Sequence, residues 1–363
     1  MRVDKSKWEK ASFQDAISLL RQNAAVQKKD YLEQGLFPVI SQEKEYISGY
    51  TDDSECVNKI TSPVVIFGDH TRVVKYIDFD FAVGADGVKI LVPNSKFFCK
   101  FIYFYLLWRD IPSNGYSRHF KFMKETVFPL PPLPIQQAIA EELDGIQSMI
   151  GKCREQLEDY DRLARSIFHE MFGDPVRNDK GWEVKKLTSI APICQYEGEI
   201  NNKKVWLLNL DMIEKDKGTL IEKVYVSLKD VGNSTIKFNE ENVLWSKLRP
   251  YLNKVLIPDS CGYGTSELIP LKPNNKDISP IFLSMLLRSQ SFVDLVNAGT
   301  EGARMPRANM NAFRNFSCGV PPLPLQQQFA TRIEAIEAMK EATKAQLADL
   351  QQLFDSRMQY YFS

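Results

Sequence analysis

Apolar residues recur in two long stretches of the chain at alternating steps of four and three. In the first they fall at Ile139, Leu143, Ile146, Ile150, Cys153, Leu157, Tyr160, Ala164, Ile167 and Met171. This is the a/d seam of a coiled-coil strand. Adding 190 to each position gives Phe329, Ile333, Ile336, Lys340, Thr343, Leu347, Leu350, Phe354, Arg357 and Tyr361, so the register is kept and polar residues enter mid-seam. Met358 stands beside Arg357 and can take its seam position. Each stretch follows a proline motif, Pro131-Pro132-Leu133-Pro134-Ile135-Gln136-Gln137 and Pro321-Pro322-Leu323-Pro324-Leu325-Gln326-Gln327. Proline suits a helix start and is excluded from a helix interior, so the helices are predicted to begin near 135 and 325. About 37 residues of helix make a rod of roughly 55 Å, long for a globular helix.

The segments between these helices carry short apolar runs punctuated by glycine and proline. A short helix is predicted over residues 12–25, then strands over 37–41, 64–67, 73–77 and 87–92, and a buried helix over 99–108. Phe120 and Phe122 alternate with Lys121, which predicts a strand with a basic outer face that includes Arg118 and Lys124. The second segment follows the same plan, with strands at 205–210, 224–227, 242–245 and 254–258 and a helix at 280–287; Gly262-Tyr263-Gly264 reads as a turn. The fold class is α+β, with boundaries at 1–130, 131–174, 175–320 and 321–363 for domain, helix, domain and helix. A compact domain of about 145 residues is much narrower than such a rod. The end of the first helix and the start of the second should therefore lie together, giving antiparallel helices with an internal pseudo-two-fold repeat.

Composition narrows the class. With 44% hydrophobic and 25% charged residues among 363, the chain is that of a globular protein. The amino terminus carries no apolar leader, and the longest apolar run is too short to span a membrane, so a cytoplasmic location is expected. The six cysteines are scattered, with neither a zinc pattern nor a disulfide framework. Net charge is zero, but lysine and arginine exceed the acids by 18 to 16 in residues 1–130 and by 20 to 16 in 175–320. They trail by 4 to 9 in 131–174 and by 4 to 5 in 321–363. The small basic excess sits in the globular parts.

The whole pattern resembles the specificity subunit of type I restriction–modification enzymes: two variable domains, each followed by a proline motif with paired glutamines and a long helix. Phe37-Pro38-Val39-Ile40-Ser41-Gln42, Val65 to Arg72 and Ser246-Lys247-Leu248-Arg249-Pro250 resemble sequences of target-recognition domains. The resemblance implies that each domain binds one half of a bipartite site in double-stranded DNA and that the helices fix the gap. It also implies that two modification subunits dock on the helices and methylate adenine with S-adenosylmethionine, and that restriction subunits join them. No cofactor is then expected in this chain; S-adenosylmethionine, ATP and Mg would serve the partners. No methyltransferase motif or phosphate loop is visible in the sequence, in keeping with a non-catalytic subunit.

Arginine, lysine, asparagine and glutamine are the residue types that read base edges and phosphates. The candidates in the first domain are Ser41 and Gln42, His70, Thr71 and Arg72, and Arg118, Lys121 and Lys124. Strand capping, an Asp69–His70 turn network and a solvated surface are their respective alternatives. In the second domain they are Lys247, Arg249 and Tyr251, and the loop bearing Arg304, Arg307 and Asn309; pairing of Arg249 with a carboxylate is the alternative there. The helix interface is assigned to Ile139, Leu143, Ile146, Ile150, Leu157, Phe329, Ile333, Ile336, Leu347 and Leu350. The acidic face with Glu141, Glu142, Glu155, Glu158 and Asp159 is either solvated or a docking face. Two other functions compete: a coiled-coil scaffold that recruits proteins without reading DNA, and a hydrolase built on Asp69 and His70.

Overall fold

A computed structural model describes every residue except 1, 2, 85, 86, 110, 113, 114, 116, 201, 299 and 301–304. The chain forms two compact units, Met1–Arg154 with Ala345–Ser363, and Glu155–Lys344. The first unit runs through β1 (Glu9–Ala11), α1 (Phe13–Ala16), β2 (Ile17–Leu20), β3 (Phe37–Ile40), β4 (Gly49–Thr51), β5 (Val57–Asn58), β6 (Val64–Gly68), β7 (Val74–Ile77), β8 (Phe81–Val83) and β9 (Val88–Pro93). After α2 (Cys99–Trp108), α3 (Phe120–Met123) and β10 (Phe128–Leu130) it enters α4 (Leu133–Phe172). The second unit contains β11 (Glu183–Lys186), α5 (Leu187–Ile190), β12 (Lys204–Leu208), β13 (Val224–Ser227), β14 (Thr235–Phe238), β15 (Val243–Ser246), β16 (Val255–Leu256), β17 (Gly262–Thr265) and β18 (Leu268–Leu271). It continues through α6 (Pro280–Leu287), α7 (Gln290–Asn297), α8 (Met310–Asn315) and β19 (Ser317–Val320) into α9 (Leu323–Phe362).

The connectivity of the first unit recurs in the second. One sheet is ordered β4-β3-β8-β5 in the first unit and β13-β12-β17-β14 in the second. Its central pair is parallel in both, and its outer pairs are antiparallel. A second sheet holds β9-β6-β7 in one unit and β18-β15-β16 in the other, with β2 added at the edge in the first. Strands β6 and β15 are buried at every position, as expected of central strands covered on both faces. The pairs β1-β10 and β11-β19 close each repeat at the proline motif.

The paired glutamines of that motif have a structural cause. Gln136 is fully buried; its Nε2 donates to the Pro131 and Lys96 carbonyls at 2.8 and 2.9 Å, and its Oε1 accepts from Phe98 N at 2.8 Å. Gln326 repeats this with Pro321 O, Asp277 O and Ser279 N at 2.7, 3.0 and 2.8 Å. One side-chain amide thus ties the start of each long helix to the segment that begins α2 or α6.

Both long helices have 40 residues. In the first unit Ile139 and Leu143 of α4 share a core with Met358, Tyr361 and Phe362 of α9, and Arg357 Nε donates to Glu142 at 2.5 Å. In the second, Ala164, Phe168 and Phe172 share a core with Phe329, Ile333 and Ile336. Within each unit the two helices therefore run antiparallel. Of the other seam residues, Ile146, Ile150 and Cys153 are buried and Leu157, Leu347 and Leu350 are half-buried. Lys340 and Thr343 are buried in the seam, and Met358 takes the position beside Arg357. The sequence reading missed Phe168 and Phe172, because a helix of 3.6 residues per turn drifts off a strict heptad.

Four expectations are corrected. Only Phe13–Ala16 of residues 12–25 is helical, capped by Ser12; β2 follows and pairs with β9, since tertiary pairing overrides the propensity of a dozen residues. Residues 120–123 form a turn of helix, because an alternation this short does not define a strand. Gly262 and Gly264 lie in β17, not in a turn. A Cβ on Gly262 would come within 2.8 Å of the Phe238 ring and of the Trp206 carbonyl, so glycine there permits close packing. Glu142 is not on an outer acidic face: it is ion-paired with Arg357, whereas Glu141, Glu155, Glu158 and Asp159 are exposed. All six cysteines are free thiols; Cys56, Cys153 and Cys318 are buried and the others half-buried.

Candidate nucleic-acid interface

In the first unit three separated segments meet at the turn between β6 and β7. Asp69 is buried, and its Oδ1 accepts from Phe120 N at 2.8 Å. Its carbonyl accepts from His119 N at 2.8 Å and lies 2.9 Å from the ring Nδ1 of His119. His70 N donates to Gln42 Oε1 at 3.1 Å, and Thr71 Oγ1 to the Gln42 carbonyl at 2.6 Å. A Cβ on Gly68 would strike Thr71 Oγ1 at 2.4 Å, and Gly87, at φ 96°, stands 2.9 Å from the Gln42 amide in the same sense. The web joins 41–42, 69–72 and 118–124. Asp69 anchors it through the backbone N–H of Phe120.

Ser41 is buried; its hydroxyl is shared with Ser48 Oγ at 2.7 Å and accepts from Glu43 N at 3.0 Å. It shapes the strand end, as the capping alternative has it. Arg72 adopts the left-handed region at φ 61°, and its Nη1 donates to the Ile111 carbonyl at 2.8 Å. Thr71, Arg118, Lys121 and Lys124 are exposed. Lys121 lies over the Phe122 ring at 4.7 Å and Lys124 over the Phe120 ring at 5.4 Å.

The second unit builds the corresponding hairpin between β15 and β16. Arg249 is left-handed there too, at φ 47°, and its N–H donates to the Pro306 carbonyl at 2.7 Å. Leu248 bridges Arg307, and Ala308 N donates to the Lys247 carbonyl at 2.9 Å. The two segments singled out in this domain therefore form one surface. Tyr251 on it is 47% exposed. Arg307 Nε and Nη2 engage Glu267 at 3.2 and 2.7 Å, which holds the Glu267 carboxyl below its ordinary range. Lys247 Nζ donates to the Ser266 carbonyl at 2.8 Å and lies 3.9 Å from Glu267. No carboxylate pairs with Arg249 among the described residues. Asn309 caps α8, accepting from the N–H groups of Asn311 and Ala312, so its side chain is committed to the backbone. Arg304 lies outside the described residues. Glu267 escaped the sequence reading because nothing local distinguishes it; it is 40 positions from Arg307.

Arg72 and Arg249 thus stand in the connections of corresponding hairpins, residues 69–73 after β6 and 247–254 after β15. A non-glycine residue at positive φ is uncommon and costs of order 1 kcal/mol or more, and such residues concentrate at functional sites. Among the described residues no group of three or more His, Cys, Asp or Glu is arranged to hold a metal, and no helix is long and apolar enough to cross a membrane.

These features define a duplicated two-domain protein whose repeats each lead into a long helix. The pattern of the type I restriction modification DNA specificity domain matches residues 5–158 and again 179–352, and the chain belongs to that family. It is 22% identical over 365 residues to the specificity subunit of the type I restriction enzyme EcoR124I/EcoR124II of Escherichia coli, covering 93% of this chain and 88% of that one. The crystal structure of the type I restriction–modification S subunit from M. genitalium superposes with a TM-score of 0.62 at 14% identity, over 100% of this chain and 98% of that one. A chain from a study of complex assembly and conformational transition of the type I system gives 0.52 at 13% identity, over 98% and 97%.

Proposed function

We propose that each repeat reads one half of a split site in double-stranded DNA, the first through the surface around Arg72, Thr71, Arg118, Lys121 and Lys124, the second through that around Arg249, Tyr251 and Lys247. The observation that carries this reading is the recurrence of a left-handed arginine in equivalent hairpins. The arginine is carried on a fixed turn, and arginine is the residue best suited to bidentate contact with guanine or phosphate. The long helices set the gap: 40 residues of helix span about 60 Å, more than a DNA turn of roughly 34 Å. Two modification subunits dock on them and restriction subunits join in the cytoplasm. Adenine methylation with S-adenosylmethionine and ATP- and Mg-dependent cleavage reside in those partners, and this chain contributes recognition without catalysis.

The test is fluorescence anisotropy of the chain with its modification subunit on a duplex, across a salt series. A slope of log affinity on log salt near −0.9 per phosphate neutralised is expected. Affinity for DNA that is absent, or insensitive to salt, would leave the scaffold reading instead.

A further inference from the structure

Backbone hydrogen bonds set three segments of the second unit in the same relation as three segments of the first. Lys247 N donates to the Glu267 carbonyl at 3.0 Å, and the Lys247 carbonyl accepts from Ala308 N at 2.9 Å. In the first unit Asp69 N donates to the Gly87 carbonyl at 2.7 Å, and the Asp69 carbonyl accepts from His119 N at 2.8 Å. Lys247 therefore corresponds to Asp69, Glu267 to Gly87 and Ala308 to His119. One residue before the last pair, Arg307 corresponds to Arg118, and both arginines are exposed.

Their surroundings differ. Arg307 Nε lies 3.2 Å from both oxygens of Glu267, and Nη2 donates to Oε1 at 2.7 Å. This occupies the side edge of the guanidinium. The end edge, made by Nη1 and the second N–H of Nη2, has no partner among the described residues, and the Arg307 side chain is 52% exposed. Glu267 is steadied from behind by Lys247, whose Nζ lies 3.9 Å away. Hydrogen bonds from Arg307 also keep its carboxyl below the ordinary range. In the first unit no acid pairs with Arg118 among the described residues. A side chain does not fit at position 87, because Gly87 is at φ 96° and a Cβ would come within 2.9 Å of Gln42 Oε1. An ion pair as exposed as that of Arg307 adds little to stability; what it fixes is the direction of the fork.

We propose that Arg307 reads a guanine in the half-site bound by the second repeat, and that Glu267 is the positioning residue that aims its free edge. Two parallel N–H donors match O6 and N7 of guanine in the major groove, and a side chain already held in place loses less freedom on binding. Arg118, which nothing holds, suits a phosphate contact that sets register without reading sequence. The assignment rests on the second repeat binding DNA, and names the part of that surface that discriminates.

The duplex for the test carries the split motif obtained by methylation mapping. Anisotropy titrations of the chain with its modification subunit compare it with duplexes in which each guanine of the second half-site, on either strand, is replaced in turn by 7-deazaguanine, which lacks the N7 acceptor. One replacement should weaken wild-type binding about fivefold or more. That penalty should fall below about twofold in Arg307→Ala and in Arg307→Lys, which keeps the charge without the fork. Glu267→Gln should shrink the penalty too, while tightening binding to unrelated duplex because a negative charge leaves the surface. Weaker binding to cognate and unrelated duplex alike in Glu267→Gln, with the penalty intact, would overturn the positioning role. A wild type without preference for a split site would sink the DNA reading itself. A preferred split site at which no 7-deazaguanine costs affinity, or a penalty unchanged in the Arg307 variants, would overturn the guanine assignment alone.

Discussion

Removing Lys340 from the seam of α9 should destabilise the second unit far more than the loss of an ordinary surface ion pair. Its ammonium lies 2.6 Å from Asp161 and 2.8 Å from Glu337; the Lys340 and Asp161 side chains are 7% and 9% exposed, while Glu337 is 42% exposed. In Lys340→Met the methionine fills the seam, so little cavity forms and the cost is that of leaving Asp161 buried without its partner. Breaking a buried pair in this way costs about 3–5 kcal/mol. The lower end applies here, because Arg288 is near enough to compensate in part. For a unit of this size about 3 kcal/mol corresponds to a fall in melting temperature of roughly 6–12 °C. Replacing both partners, Lys340→Met with Asp161→Leu, should restore stability to within about 1 kcal/mol of the wild type, since a buried pair repays little beyond its own desolvation. The readout is fluorescence of the buried Trp206 and Trp245, both in this unit, during urea and thermal unfolding. A Lys340→Met chain as stable as the wild type, or a double variant no better than the single one, would refute the reasoning.

Three further outcomes are expected. Arg72→Gly and Arg249→Gly remove the cost of positive φ, so each variant should fold as well as the wild type or up to about 1 kcal/mol better, while its DNA affinity falls and its salt slope drops by about one in anisotropy titrations. Gln136→Leu and Gln326→Leu each strand one buried N–H and two carbonyls and should cost about 2–4 kcal/mol in urea unfolding. Burial raises the pKa of Glu142, but hydrogen bonds from Arg357 and Tyr361 outweigh it and hold the carboxyl at about 2, against an ordinary 4.5. Its folded-state pKa is depressed, so its contribution is complete above pH 4.5 and is lost as the pH falls towards 2. Allowing for partial solvent screening, that contribution is about 1–2 kcal/mol. Glu142→Gln should lack it at neutral pH and show a flatter loss of stability between pH 4.5 and 2.

The long helices were legible in the sequence because the seam and the proline starts are local, periodic signals, and both helix starts fall within two residues of the expected positions. Helix α6 was read to the residue, since Pro280 at its first position and a run of apolar residues leave little choice. Residues 17–20 were not legible, because a pairing with β9, 70 to 76 positions away, decides their conformation. The same limit applies to the candidate interface. Sequence singled out the turns with Arg72 and Arg249, yet their left-handed backbone depends on Gly68 O and Pro306 O, and the latter comes from a distant segment. Polar character alone did not separate Thr71 and Lys121, which face solvent, from Ser41 and Asn309, whose side chains hold the backbone.

Recognition of one half-site by each repeat is tested most directly by mapping adenine methylation with long-read sequencing in cells that carry this chain and its modification subunit. Cells lacking only this chain, and cells in which residues 1–130 come from a relative of different specificity, provide the comparison. The account predicts a split motif, methylated in both halves, that vanishes on deletion and changes in one half alone after the replacement. Methylation that persists without the chain, or a replacement that alters both halves together, would contradict it.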